Sequence, residues 1–189
     1  MQIERILCPV CTLGPGKRIV IWTNGCSKRC PNCISPELQQ VRPDKNIPLP
    51  RLLSIVKDLL KQEGADGITI SGGDPMEQAD EVLAFIAAIS EACRDILIYT
   101  GYSLAELQEK LSAEEFEVLQ KHTAVLIDGR YIAALNDGLS PLIGSTNQQI
   151  HYFDQELRAR YEAYMHRHGR QVQTIYYGDR MISIGIPNV

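Results

Sequence analysis

Two kinds of apolar pattern alternate along this chain. Short runs of continuous apolar residues, rich in β-branched and aromatic types, are separated by longer stretches in which apolar positions recur every three or four residues. The runs Arg18–Thr23 (RIVIWT), Gly67–Ser71 (GITIS), Ile96–Thr100 and Ala124–Asp128 predict strands. Between them, helical spacing predicts a helix from Pro50 to Glu63, ended by Gly64, and one from Met76 to Cys93 carrying Val82, Phe85, Ile86, Ile89 and Cys93 on one face. Ser103 and Ser112 each open a capping-box pattern, SLAE and SAEE. Strands alternating with helices predict a parallel sheet built of βαβ units. After Asp128 the pattern loosens into a long loop, Gly129 to Gln148, of the kind that in a compact domain is usually functional. A helix from Asp154 to about His168 follows. The chain then ends in a hairpin, QVQTIYY and RMISIGI, turned at Gly178-Asp179.

Size narrows the fold. Eight βα units need about 250 residues, and 189 are present. The expected class is therefore α/β: a partial, open (β/α) barrel with parallel strands plus a C-terminal helix and hairpin, all in one domain. The core is expected at about 14–150, with 151–189 as an extension. Hydrophobic residues at 44% and charged residues at 22% suit a globular core. No run reaches the roughly 20 apolar residues of a membrane helix. A net charge of -4 without a basic stripe argues against nucleic acid as the main partner.

Six cysteines with no export signal point to the cytoplasm, where clustered thiols signal metal or catalysis rather than disulfides. Cys26, Cys30 and Cys33 fall within eight residues, on the loop that follows the first predicted strand. Thiolates are the ligands of iron–sulfur clusters, which normally take four. Three close thiols suit three irons of a [4Fe–4S] cube and leave the fourth open, as a catalytic metal site requires. The competing reading is a structural zinc site in a binding module, with Cys8 or Cys11 as fourth ligand. Cys8 and Cys11 otherwise read as ordinary strand or loop residues, Cys93 and Trp22 as core, and His151, His166 and His168 as solvated.

Cys-x3-Cys-x2-Cys after one strand, with the turn Ser71-Gly72-Gly73-Asp74-Pro75 after the next, resembles the radical S-adenosylmethionine superfamily. Within it, the chain resembles the anaerobic ribonucleotide reductase activating proteins, which are glycyl radical enzyme activases. The matching pieces also include Tyr99-Thr100-Gly101-Tyr102, Val125-Leu126-Ile127-Asp128-Gly129 and Gly144-Ser145-Thr146-Asn147-Gln148. Asn32 stands where most of the superfamily has an aromatic residue, and the activating proteins commonly have a small one. The resemblance implies one [4Fe–4S] cluster on Cys26, Cys30 and Cys33. It implies S-adenosylmethionine on the open iron, cleaved by an electron from the cluster to a 5′-deoxyadenosyl radical. It further implies a glycyl radical enzyme or other macromolecular substrate as partner, and an electron donor such as flavodoxin or ferredoxin.

The same residues can be read chemically. Gly72 and Gly73 let the backbone approach a ligand closely. Asp74 offers a carboxylate to the ligand's ammonium, or caps a turn. Thr100 reaches the ribose or caps the next helix. Asn147, Gln148 and Asp128 bond the adenine or carboxylate of the ligand, or belong to a solvated loop. Asn32 completes the ligand-facing set. Lys28 and Arg29 either raise the cluster's potential or face solvent.

Overall fold

A computed structural model describes residues 1–167, 169–177 and 180–187. Six strands form one sheet in the order β1 to β6: β1 (Ile3–Val10), β2 (Arg18–Thr23), β3 (Gly67–Gly72), β4 (Ile96–Tyr99), β5 (Val125–Asp128) and β6 (Gln149–Tyr152). The inner four, β2 to β5, run parallel, whereas β1 and β6 pair antiparallel at the two ends. The expectation of parallel strands thus holds for the middle of the sheet and fails at its edges. Chain order equals spatial order, so each βα unit adds a strand beside the last.

Helices α1 (Leu49–Glu63), α2 (Ala79–Ile89), α3 (Leu104–Lys110) and α4 (Ala113–His122) connect the parallel strands. Gly64 ends α1 in the left-handed conformation at φ 58°. Both predicted capping boxes form, Ser103 with Glu106 and Ser112 with Glu115. Helix α2 is shorter than its apolar spacing predicts. Pro75–Gln78 makes a 3-10 turn before it, and beyond Ile89 the chain turns, with Cys93 still packed against the core. Helix α5 (Gln155–Arg167) and the antiparallel hairpin β7 (Val172–Tyr177) and β8 (Arg180–Gly185) complete the chain. His168 and the predicted Gly178-Asp179 turn lie outside the described residues. Among the described residues no helix is long and apolar enough to cross a membrane.

Alternation along the strands sends side chains to two cores. Ile68, Ile70, Ile96, Ile98 and Leu126 face one side and pack on α1 to α4 through Leu52, Val56, Phe85, Ile86, Leu107 and Leu119. Leu97, Val125 and Ile127 face the other side and meet Tyr161 and Tyr164 of α5 with Leu142. On that same side Val20 and Trp22 meet Leu38 and Ile184 of β8. Both faces of the sheet are therefore covered, the second by the C-terminal elements. Arg18, fully buried, ties the layers together. It lies 2.8 Å from Asp95, donates to Thr69 Oγ1 and to the Ile68 carbonyl, and sits against the Tyr161 ring.

Candidate functional site

Loops after β2, β3, β4 and β5 leave the same edge of the sheet, the carboxyl ends of the strands where ligands gather in open α/β folds. They surround a cavity of about 520 Å³, within the roughly 300–1,000 Å³ usual for small-molecule sites. Cys26, Cys30 and Cys33 line one wall; Gly72, Gly73, Asp74, Thr100 and Gln148 line others, and Ile184 and Pro187 close it from the C-terminal side. Asp128 and Asn147 do not line it.

The cysteine loop has little regular structure of its own. Arg29 and Asn32 both take left-handed conformations, φ 50° and 57°, and asparagine is among the side chains that tolerate that region best. The loop is held from outside. Cys26 N–H donates to the Gln39 carbonyl and Gly25 N–H to the Leu38 carbonyl. All three cysteines are free and half-buried. Burial pushes the Cys26 thiol up, opposed by the Lys28 backbone N–H and the Lys28 ammonium.

The two glycines line the cavity and also admit a close approach within the chain. Gly73 N–H donates to the Thr23 carbonyl and Asp74 N–H to the Gly25 carbonyl, so the turn is laid directly against the cysteine loop. A Cβ on Gly73 would fall 2.4 Å from the Gly25 carbonyl oxygen; one on Gly72, at φ 123°, would fall 2.3 Å from the Thr23 backbone. The close approach that demands glycine is between two pieces of this chain.

Asp74 is buried, at 1% exposure, and its carboxylate is fully engaged. Oδ1 accepts from Met76 N–H at 3.0 Å and from the Thr100 hydroxyl at 2.8 Å. Oδ2 accepts from Gly101 N–H at 3.0 Å and lies 3.2 Å from the Lys28 ammonium. A carboxylate has about four lone-pair positions, and the protein fills them. Burial pushes the Asp74 carboxyl up; Lys28, Thr100 and the two N–H groups oppose it. Thr100 is likewise occupied, donating to Asp74 and accepting from Tyr102 N–H, while Ser103 does the helix capping.

The other candidates hold loops in place. Asp128 accepts from Leu104 N–H at 2.6 Å and Gln149 N–H at 3.2 Å, and lies 2.9 Å from His151 Nε2, so His151 is not simply solvated. Gln148 staples the long loop, accepting from Gly144 N–H and donating to the Gly129 carbonyl; Asn147 donates to the Arg130 carbonyl. Asn32 is exposed at the cavity rim. Trp22 is core, with one edge on the cavity and the Arg5 guanidinium 5.7 Å from its ring. Cys8 lies on β1 and packs on the core, and Cys11 is exposed beyond it.

Two features beside the cavity are not legible in the sequence: the contacts of Glu77 and the burial of Lys28. Lys28 neither faces solvent nor points outward. Its side chain is 3% exposed, with the ammonium 3.2 Å from Asp74, 3.2 Å from Glu77 and 2.9 Å above the Tyr102 ring. Despite burial, which acts the other way, these partners raise the affinity of Lys28 for its proton.

The donor set suits an iron–sulfur cluster: three thiols on one loop, each facing the same cavity. Among the described residues no group of three or more Cys, His, Asp or Glu side chains is gathered closely enough to hold a metal ion. A family model described as a 4Fe-4S single cluster domain matches residues 12–151. The anaerobic ribonucleoside-triphosphate reductase-activating proteins of Salmonella typhimurium and Vibrio cholerae are 31% and 32% identical over 144 and 148 residues, covering 74% of this chain and 90% of each relative. Pyruvate formate-lyase-activating enzyme of Staphylococcus aureus is 30% identical over 149 residues, which is 76% of this chain and 58% of that protein.

The chain belongs to the 4Fe-4S single-cluster family of radical S-adenosylmethionine activases. The match to the 4Fe-4S family model includes the cysteine loop, the Gly72-Gly73 turn and the loops after β4 and β5, which line much of the cavity. Helix α5 and the hairpin follow the matched segment, and β8 with Ile186 and Pro187 closes the cavity's remaining side.

Proposed function

We propose that this activase-family chain carries a [4Fe–4S] cluster on Cys26, Cys30 and Cys33, binds S-adenosylmethionine in the adjoining cavity, and produces a glycyl radical on a partner enzyme, anaerobic ribonucleotide reductase. The observation that carries the reading is the placement of all three thiols on the wall of the one cavity that the Gly72-Gly73 turn also lines. When bound, the cluster supplies the electron for reductive cleavage of the sulfonium, drawn from an external donor of the flavodoxin or ferredoxin kind.

The chain's own residues orient and enclose. Asn32, Gly72, Gly73, Thr100 and Gln148 form the wall against which S-adenosylmethionine rests. Asp74 fixes that wall by joining the loops after β3 and β4, and Asp128 and Asn147 frame the loops behind it. Trp22, Leu142 and Ile184 give the chamber apolar surface that keeps water from the reacting atoms. The sheet ends at β1 and β6 without closing on itself. Read as an open, partial (β/α) barrel, it leaves room for a glycine-bearing loop of another protein to enter.

Anaerobic reconstitution with iron and sulfide, followed by a chemical reductant and S-adenosylmethionine, tests the reading. It expects iron and sulfide in equal amounts, formation of 5′-deoxyadenosine, and a glycyl radical signal on added anaerobic reductase. Zinc in place of iron, or no 5′-deoxyadenosine from cluster-loaded protein, overturns it. Product without a radical on the reductase moves the substrate to another peptide or small molecule.

A further inference from the structure

We propose that Lys28 is a positioning residue of the metal centre: its buried ammonium latches the cysteine loop onto Asp74 and Glu77, so that the loop holds its three thiols over the cavity before any iron arrives. The loop has few bonds within itself. Between Cys26 and Cys33 one backbone–backbone hydrogen bond forms among the described residues, Cys33 N–H to the Cys30 carbonyl at 3.3 Å, and the Lys28 and Arg29 N–H groups turn to the Cys26 thiol. A segment of this kind opens easily unless something else anchors it. Ser27 and Lys28 supply the anchor. Glu77 accepts from Ser27 N–H at 3.1 Å and from the Ser27 hydroxyl, and its carboxylate also takes the Lys28 ammonium.

The latch is built from both sides. Asp74 caps the 3-10 turn after β3 and Glu77 lies within it, and together they bring two carboxylates to one point, where a single ammonium answers both. The Tyr102 ring covers that ammonium, and a Cβ on Gly101 would stand 3.1 Å from Lys28 Cγ, so the lysine stem runs in a fitted slot. Three loops, after β2, β3 and β4, therefore converge on Nζ of one residue that lies between two candidate cluster ligands.

The inference rests on the proposed cluster only for its purpose; the latch itself is tested on thiols. In the cluster-free full chain, anaerobic alkylation by iodoacetamide is followed residue by residue, with Cys8 and Cys93 as internal controls for global opening. Lys28→Met is expected to speed alkylation of Cys26 and Cys30 on the order of tenfold, consistent with loss of a buried ion pair, while the controls keep their rates. Lys28→Arg, which keeps the positive charge in a larger guanidinium, is expected to stay closer to the wild type than Lys28→Met does.

Lys28→Met alone strands two carboxylates, which can unfold the protein. Lys28→Met with Asp74→Asn removes charge from both sides and keeps the test decisive. Reconstituted with iron and sulfide, the double variant is expected to lose iron to a chelator faster than the wild type. The proposal is overturned if the folded double variant alkylates at the wild-type rate and holds iron as firmly. If the wild type loads a cluster but makes no 5′-deoxyadenosine, the activity reading fails while the thiol result still judges the latch.

Discussion

The hydroxyl of Thr100, at the end of β4, donates to the Asp74 carboxylate at 2.8 Å, although the two residues belong to loops leaving different strands. Asp74 is the node and Thr100 one of its four supports. Thr100→Val keeps the shape and removes the donor, and is expected to cost about 1–3 kcal/mol because a buried acceptor loses its partner. For a chain of this size each 1 kcal/mol shifts the melting midpoint by roughly 2–4 °C. Thr100→Ser is expected to recover most of the loss. Thermal melts of the three proteins decide the matter, and equal midpoints for Val and Thr would remove the bond from the account.

Glu77 gives the site a pH signature. Burial alone would raise its carboxyl, but hydrogen bonds from Ser27 and Lys28 hold it at about 2, against an ordinary value of 4.5. The folded state thus binds its proton less readily than the unfolded state, and folding stability contributed by Glu77 is complete above 4.5 and lost as pH falls towards 2. Denaturant midpoints measured through this window should fall more steeply for the wild type than for Glu77→Gln. Parallel slopes would show that Glu77 contributes nothing.

Gly73 and Gly64 separate two reasons for glycine. At Gly73 an added methyl meets the Gly25 and Leu38 carbonyl oxygens at 2.4 and 2.6 Å, in backbone that cannot swing aside. Gly73→Ala is expected to cost on the order of 3 kcal/mol and to impair cluster loading, since the displaced neighbour is the cysteine loop. At Gly64 nothing lies within 4 Å and only the left-handed φ of 58° resists. Gly64→Ala is expected to cost about 1 kcal/mol and to load a full cluster. Iron content beside denaturation curves tests both.

Alanine at Cys26, Cys30 or Cys33 is expected to abolish a stable cluster. Alanine at Cys8, Cys11 or Cys93 should leave the cluster visible in the absorption spectrum, because these lie on β1, just beyond it, and after α2. A full cluster in Cys26→Ala, or its loss in Cys8→Ala, would contradict the proposed ligand set.

Local signals were legible in the sequence and long-range ones were not. Helix α1 ends at Gly64 as its pattern predicts, and the two serine caps form, because each depends on residues within one turn. Strand β1 carries no clear signal in the sequence because it is a half-exposed edge strand broken by Glu4, Arg5 and Pro9, which hide the alternation. Strand β6 is four residues inside a polar loop and exists through its pairing with β5. Helix α2 is shorter than its pattern because helical spacing continues into a turn. The cysteine loop could be read from its spacing, but its tie to Glu77 joins residues 49 apart, and only the fold selects that partner. The same holds for Asp74, whose open carboxylate in sequence is a saturated one in space.

The cover on the second face of the sheet bears on where this protein can be cut. Tyr161 and Tyr164 of α5 and Ile184 of β8 fill two of the three hydrophobic clusters, and Arg170 reaches the Ser140, Ile143, Gly144 and Pro187 carbonyls. The stretch that matches the family model, 12–151, is thus not the stretch expected to stand by itself. A fragment ending near Tyr152 would leave Leu97, Val125 and Ile127 facing water, and aggregation is its expected fate.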